Sequence, residues 1–236
     1  MIDLRVGCDP ETFLSVNGEF ISAHGLFPGT KNEPFKVDKG AVQVDGLALE
    51  FNIDPAKTAE EFDANIETVL KQMKEMVSKV DKDMKLNFVP VARFNKKYFE
   101  ELPIDAKVLG CDPDFASING QVIVKSVDIT DMPLRTAAGH VHLGWTEGED
   151  AMSGIHFEDA RFVANYFYND FYKSPFCRKT PEEYERIKYY GYAGAFRPKS
   201  YGVELRQYSN VWVEHPETRK KMFDYVASET TKLYKG

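Results

Sequence analysis

Five short stretches of this chain set two chemically capable residues two positions apart: Asp9/Glu11, Glu50/Asn52, Asp112/Asp114, His140/His142 and Glu204/Arg206. In a β-strand alternate side chains share a face, so each pair points one way while its neighbours, such as Val141 and Leu143 or Leu49, Phe51 and Ile53, pack on the other. Two imidazoles at this spacing can bind a divalent metal or donate to phosphate oxygens, because each keeps one ring nitrogen for a ligand. Taken alone, the His-x-His stretch is equally well a pair of half-exposed strand histidines. Recurrence of the pattern changes its meaning: several strands whose polar faces mix carboxylate, imidazole and guanidinium line a polar cleft. Carboxylates alone would repel one another, whereas carboxylates with histidine suit hard cations such as Mg²⁺ or Mn²⁺. Zinc fits less well, since there is no thiolate cluster or compact three-ligand motif.

The elements that must carry these pairs can be read from pattern and punctuation. Leu4 to Gly7 and Phe13 to Val16 read as strands on either side of a bend at Asp9-Pro10-Glu11, the latter turning at Asn17-Gly18 into Phe20-Ile21. His24 to Gly40 is a long loop with Lys31 behind a flexible Gly-Thr, where it could reach a bound anion or remain a solvated lysine. Ala41 to Ile53 reads as strand, with Asp45 of opposite parity to Glu50 unless Gly46 marks a bulge. Thr58-Ala59-Glu60-Glu61 is a capping box opening a helix over 58–80, with Phe62, Ile66, Val69, Leu70, Met73 and Val77 as its apolar stripe. Leu86 to Val91 reads as strand, 95–102 as a short helix, Gly139 to Trp145 as strand and 157–172 as a helix. Thr180-Pro181-Glu182-Glu183 starts another helix, 191–198 is a Gly/Tyr-rich loop containing Arg197, 200–208 is a strand, and 216–233 is the last helix. Val108 to Gly120 repeats the start of the chain with one residue deleted, which suggests an internal duplication of a strand-bend-hairpin unit. Proline in both copies implies a sheet edge or a strand start there.

The 236 residues carry a net charge of −7, without a Lys/Arg block dense enough for a nucleic-acid track. An acidic chain that binds a polyanion needs metal ions between the two. No stretch is apolar enough to span a bilayer, and the N-terminus reads as a strand rather than a signal peptide, so the expected location is cytoplasmic. Cys8, Cys111 and Cys177 are odd in number and widely spaced, as expected of buried thiols rather than a disulfide framework. No linker composition interrupts the chain, so residues 1–236 read as one domain. Hairpin signals favour an α+β fold: a curved, mainly antiparallel sheet with the site on its concave face and helices 58–80, 157–172 and 216–233 on its convex face.

The order of motifs, Gly-Cys-Asp-Pro-Glu, Pro-Gly-Thr-Lys, Leu-Glu-Phe-Asn, Gly-His-Val-His-Leu-Gly and Tyr-Gly-Val-Glu-Leu-Arg, resembles the glutamine synthetase-like carboxylate–amine ligases. More specifically it resembles the phage-encoded COOH·NH2 ligase type 2 (amidoligase) family, over nearly the whole chain. The resemblance implies an ATP- and Mg²⁺-dependent ligase joining a carboxylate to an amine, with host cytoplasm as its setting if phage-encoded. It implies that Glu11 and Glu50 are metal-binding acids, with Asp9 in place of the first acid of a Glu-x-Glu pair. His140 would bind the metal nearest the terminal phosphates, His142 would approach the phosphates, Glu204 would be the late metal-binding and catalytic glutamate, and Arg206 would contact the transferred phosphoryl group. Lys31, Arg135, Arg197 and Lys199 are basic candidates for substrate or phosphate binding. The chain is much shorter than glutamine synthetase, so neither ammonia as the amine nor a large ring assembly follows, and the oligomeric state stays open. Two other readings remain. A cupin-type metal enzyme would use His140, His142 and Glu147 with Gly154, but its second motif is absent. A nucleotide- or peptide-binding protein without catalysis would keep most of the same ligands.

Overall fold

The computed structural model describes residues 3–108, 113–124, 127–177 and 179–234. Cys111 and Asp112, and with them one member of the Asp112/Asp114 pair, lie outside the described residues.

The chain begins with β1 (Arg5–Val16), which runs unbroken through the expected bend at Asp9-Pro10-Glu11, with Val6 and Cys8 buried on one face while Gly7, Asp9 and Glu11 line a cleft on the other. At Asn17-Gly18 it turns into β2 (Glu19–Ile21), as the dipeptide predicts. After the long loop come β3 (Phe35–Val37), β4 (Gly40–Asp45) and β5 (Ala48–Ile53). The stretch read as one strand from 41 to 53 is therefore a hairpin, turning at Gly46-Leu47. Gly46 sits at φ +56°, a conformation that costs a residue without a Cβ little. Leu47 is buried within the turn, which is why the sequence there reads as strand interior.

Helix α1 (Ala59–Val80) opens where the capping box predicts, with the Thr58 side chain accepting from the Glu61 N–H. The strand expected at 86–91 is two pieces, β6 (Lys85–Asn87) and β7 (Val91–Arg93), interrupted at Pro90. Next come α2 (Lys96–Glu101), capped by Asn95, then α3 (Ile104–Lys107), β8 (Phe115–Ala116) and β9 (Leu134–Thr136). The second copy of the sequence repeat thus supplies, among the described residues, only a two-residue strand and a turn at 117–120, not another long strand. The histidine stretch is β10 (Gly139–Gly144). Helix α4 (Gly154–Asp170) starts three positions before the expected 157, and α5 (Pro181–Tyr189) follows its Thr180 cap. The segment read as loop at 191–198 contains most of β11 (Ala195–Lys199), which forms a hairpin with β12 (Gly202–Leu205). Helix α6 (Pro216–Leu233) closes the chain.

The main sheet runs β3-β4-β5-β1-β10-β12-β11-β8, with β2 and β6 paired to β1 and all its ladders antiparallel; β7 and β9 form a separate pair. The fold is α+β with an open, mostly antiparallel sheet. The expected edge position of Pro10 is overturned: β1 lies between β5 and β10. Pro10 stands where β1 leaves β10 and takes β5 as partner, so its missing N–H falls at a change of ladder.

The core lies on the face opposite the cleft. Val6, Cys8, Val141, Leu143, Val203, Leu205, Leu49 and Phe51 pack there against Phe62, Ile66, Val69, Leu70, Met73 and Val77 of α1, Val163 and Phe167 of α4, and Met222, Phe223 and Val226 of α6. Each large apolar side chain removed from water contributes roughly 1.5–3 kcal/mol, so this layer anchors the strands whose other faces carry the polar pairs.

Where β10 begins, Trp212 Nε1 donates to Gly139 O (3.1 Å), and a Cβ on Gly139 would lie 2.4 Å from Ser209 O and 2.7 Å from Trp212 Nε1. We expect Gly139→Ala to lower the urea midpoint by an amount equivalent to about 1–3 kcal/mol, the usual cost of overpacking. An unchanged midpoint would show that this contact does not hold β10.

Candidate functional site

Strand register assembles the pairs into a lattice. Asp9 lies opposite His140, and Gly7 opposite His142. His142 lies opposite Glu204, which in turn lies opposite Arg197. On the other side of β1, Glu11 lies opposite Glu50 and Glu50 opposite Gln43. These side chains line one cleft of about 910 Å³, a size suited to a small-molecule ligand.

Two groups of possible metal ligands share this cleft: Asp9, His140 and Glu204, and beside them Glu11, Asp45 and Glu50, with the ligand atoms within each group lying within 4.8 Å of one another. In the first, Asp9 Oδ1 lies 3.2 Å from His140 Nδ1 and 3.0 Å from His142 Nε2, and His140 Nδ1 lies 3.3 Å from Glu204 Oε1. These contacts are close without being aligned as hydrogen bonds: Asp9 Oδ1, His142 Nε2 and Glu204 Oε2 are all buried with no hydrogen-bond partner. Buried polar atoms left so are costly, and a cation held by Asp9, His140 and Glu204, whose ligand atoms lie within 4.8 Å of one another, would compensate both carboxylates. Two carboxylates and an imidazole are a donor set for Mg²⁺ or Mn²⁺.

In the second group Glu50 accepts from Gln43 Nε2 (2.9 Å) and Glu11 accepts from the Ala138 N–H (2.7 Å). Asp45 reaches this group because the chain turns at Gly46-Leu47, so the single-strand parity used to discount it does not apply. A hidden two-residue turn with an apolar member gives no sequence signal comparable to Asn-Gly.

Basic groups close on the first cluster. Arg206, just beyond β12, forms an ion pair with Glu204 through Nη1, lies 2.7 Å from Asp114 Oδ1 through Nε, and donates through Nη2 to the Tyr190 hydroxyl. Arg197 donates to Asp114 (3.0 Å) and lies 3.9 Å from Glu204, while Lys199 Nζ lies 3.2 Å from Glu204 Oε2. Lys31 is exposed at the cleft rim, in the loop between β2 and β3. Arg135 also borders the cleft, but its guanidinium is committed elsewhere: Nη1 donates to the carbonyls of Ile129, Met132 and Leu134, and Nη2 to those of Lys107 and Thr130. Arg135 thereby clamps backbone, and burial lowers its pKa to about 10. Glu147 of the cupin spacing is exposed and nearest Arg5, and the carboxylates beside the histidines come instead from β1 and β12.

Sequence reasoning missed Tyr190, which touches both His140 and Arg206, and Tyr201, whose hydroxyl meets His142 Nδ1. No local pattern marks either one. Tyr190 caps α5 and Tyr201 sits in the β11–β12 turn, so their placement depends on packing distant in sequence.

Burial works against charge throughout the cleft. Burial, and then the nearby Arg206, lower the His140 pKa to about 3, leaving a neutral ring. Burial also opposes ionisation of Asp9, yet the adjacent His142 and His140 hold its carboxyl well below the usual range. Burial, reinforced by Asp45, raises Glu11 to about 8, and burial with Asp9, Glu11 and Asp45 raises Glu50 well above its ordinary value.

These directions set opposite pH dependences. His140 binds its proton more weakly folded than unfolded, so its effect makes stability rise with pH from about 3 to its ordinary 6.5. Glu11 binds its proton more tightly folded, so its effect makes stability fall from its ordinary 4.5 to about 8. Between pH 6.5 and 8 the His140 contribution is complete and the Glu11 loss continues. In chelator, Tm should therefore fall across this interval, and Mg²⁺ should raise it more at pH 8 than at 6.5, because a cation replaces the proton. Glu11→Gln should flatten the slope. Thermal unfolding followed by circular dichroism tests this; a Tm that rises from pH 6.5 to 8 without cation contradicts it.

Comparison with protein-family models and with curated proteins finds no match.

Proposed function

We propose that this chain is an ATP- and Mg²⁺-dependent carboxylate–amine ligase of the glutamine synthetase-like, amidoligase kind, forming an amide or peptide bond through an acyl phosphate. The observation that carries the reading is the pairing of two adjacent ligand groups, Asp9-His140-Glu204 and Glu11-Asp45-Glu50, with Arg206, Arg197 and Lys199 converging on Glu204. The strand order supports it too, since β5, β1, β10 and β12 deliver the motif residues to one face.

A carboxylate is a poor acyl donor until one of its oxygens attacks the γ-phosphorus of ATP and ADP departs. The amine nitrogen then attacks the acyl carbon, the C–O bond to phosphate breaks, phosphate leaves and the amine loses a proton. Positioning and charge neutralisation supply most of the catalysis of such phosphoryl transfer, without a protein nucleophile. Asp9, His140 and Glu204 would hold one divalent cation and Glu11, Asp45 and Glu50 a second; the cations would neutralise phosphate charge. Arg206, with Arg197 and Lys199 beside it, faces the transferred phosphoryl group, and His142 approaches the phosphates. Glu50, whose pKa burial and the neighbouring Asp9, Glu11 and Asp45 raise well above the ordinary value, would accept the amine proton. The acyl donor and the amine are small molecules or peptides.

No helix among the described residues is long and apolar enough to cross a membrane.

ADP and phosphate release with Mg²⁺, screened over amino acids, polyamines and short peptides, tests the reading. Wild-type protein should release both only with a competent carboxylate and amine. Glu204→Gln and His140→Ala should each reduce kcat by about 10²-fold or more, the usual scale for losing a group that stabilises transition-state charge. ATP binding without ADP release across the whole panel would identify a binding protein instead, and amide formation undiminished in both variants would refute the site.

A further inference from the structure

Tyr190 occupies a position that the proposed chemistry has not used. Its hydroxyl lies 3.2 Å from His140 Nε2 and accepts from Arg206 Nη2, while the opposite nitrogen of the same imidazole, Nδ1, faces Asp9 and Glu204. The tyrosine is fixed in place. It is the C-cap of α5, its N–H donating to Arg186 O, and the buried Arg186 donates from Nε to Ala137 O (2.6 Å), from Nη1 to Gln207 O (3.1 Å) and from Nη2 to Tyr208 O (2.9 Å). One arginine thus ties α5 to the chain on both sides of the site, just before β10 and just after β12.

A neutral imidazole carries one proton, and its position decides which nitrogen can bind a metal. Three groups meet Nδ1: carboxylate oxygens of Asp9 and Glu204 at 3.2 and 3.3 Å and, farther off, the donor Arg206 Nη1 at 3.5 Å, which is already paired with Glu204; with no cation the two nearer acceptors favour the proton on Nδ1, so that Nε2 accepts from the tyrosine hydroxyl. A cation held by Asp9, His140 and Glu204 needs a bare Nδ1, which places the proton on Nε2. That N–H is buried, and the group beside it must now accept. A hydroxyl can serve both states, because it has a proton to give and lone pairs to receive, even while accepting from Arg206.

We propose that Tyr190 is the positioning residue that lets His140 offer a bare Nδ1 to a divalent cation, its hydroxyl changing from donor to acceptor at Nε2 as the cation binds. The same oxygen joins the metal ligand to Arg206, so cation binding and the orientation of the phosphoryl-contacting arginine are coupled through one side chain. The inference rests on the metal-dependent reading of the cleft, but not on the identity of the substrates.

The test uses the full chain and a cation alone. Free Mn²⁺ measured by electron paramagnetic resonance gives cation affinity, and long-range ¹H–¹⁵N correlation spectra with Mg²⁺ give the His140 tautomer, the signal being assigned by its loss in His140→Ala. We expect the Nδ1–H form without cation and the Nε2–H form with it. Tyr190→Phe should bind Mn²⁺ about 10- to 100-fold more weakly, the usual effect of removing the partner of a metal-bound imidazole, with Tm within a few degrees of wild type. Unaltered Mn²⁺ affinity in Tyr190→Phe, a proton that stays on Nδ1 in the Mg²⁺-loaded wild type, or no cation binding by the wild type would each overturn the proposal. The wild-type spectra decide the question even if the variant does not fold. ADP release is scored separately: a tyrosine effect on Mn²⁺ without ADP release sinks the ligase reading alone, and ADP release with no tyrosine effect sinks this inference alone.

Discussion

The constraint on which the structure turns is the confinement of like charge. Asp9, Glu11, Asp45, Glu50 and Glu204 line one cleft; burial and neighbouring carboxylates raise the pKa values of Glu11 and Glu50, while the two histidines hold that of Asp9 down against burial. Taking an ion out of water costs several kcal/mol even after relaxation, so each carboxylate must find a compensating group or a proton. Glu204 finds Arg206 and Lys199, Asp9 finds the two imidazoles, and Glu11 and Glu50 keep protons. Divalent cations would compensate both groups of carboxylates at once, and an acidic cleft would need such ions before it could meet a polyanion.

Holding such groups together requires a backbone that does not give way. The long strand β1 supplies Asp9 and Glu11 from one continuous element, Asp9 from its ladder with β10 and Glu11 from its ladder with β5, so the pair cannot be moved without disturbing both. Behind it, Asn210 Nδ2 donates to Glu11 O and Trp212 Nε1 to Gly139 O, fixing the start of β10 and the middle of β1 from the segment that precedes α6. Arg186, beneath the site, and Arg135, at the cleft, fix further backbone, each donating its guanidinium to carbonyl oxygens. The basic side chains of the cleft therefore divide into those that fix the wall and those that face Glu204.

That division marks the limit of what the sequence discloses. Parity is local, so the face shared by His140 and His142, or by Asp9 and Glu11, is legible from alternation alone, as are the helices whose caps and apolar stripes repeat within a few residues. The α+β architecture follows from the same signals. Arg135 and Arg197 cannot be told apart in this way: each is an arginine near a polar strand, and only the fold turns one toward backbone carbonyls and the other toward Asp114 and Glu204. Asp45 was obscured because Leu47 carries a turn while looking like core. Tyr190 was invisible because it meets His140 across fifty positions of sequence, through a helix docked by a buried arginine.

The two ligand groups also differ in how they can be filled. Asp9 and Glu11 are alternate residues of one strand, so strand rise alone separates their positions along β1 by roughly 6.6 Å. That is enough for two cation positions on one strand face rather than one shared position. The Asp9 group already has Arg206, Lys199 and Arg197 near Glu204, so a cation arriving there adds positive charge where a phosphate can use it. The Glu11 group has only carboxylates at its centre, with protons as their substitute for a cation. Occupancy of the second group must therefore weaken as pH falls, while the first, built on an ionised aspartate and a neutral imidazole, keeps its donors. The side of the cleft nearest β12 thus keeps cation donors over a wider pH range than the side nearest β4.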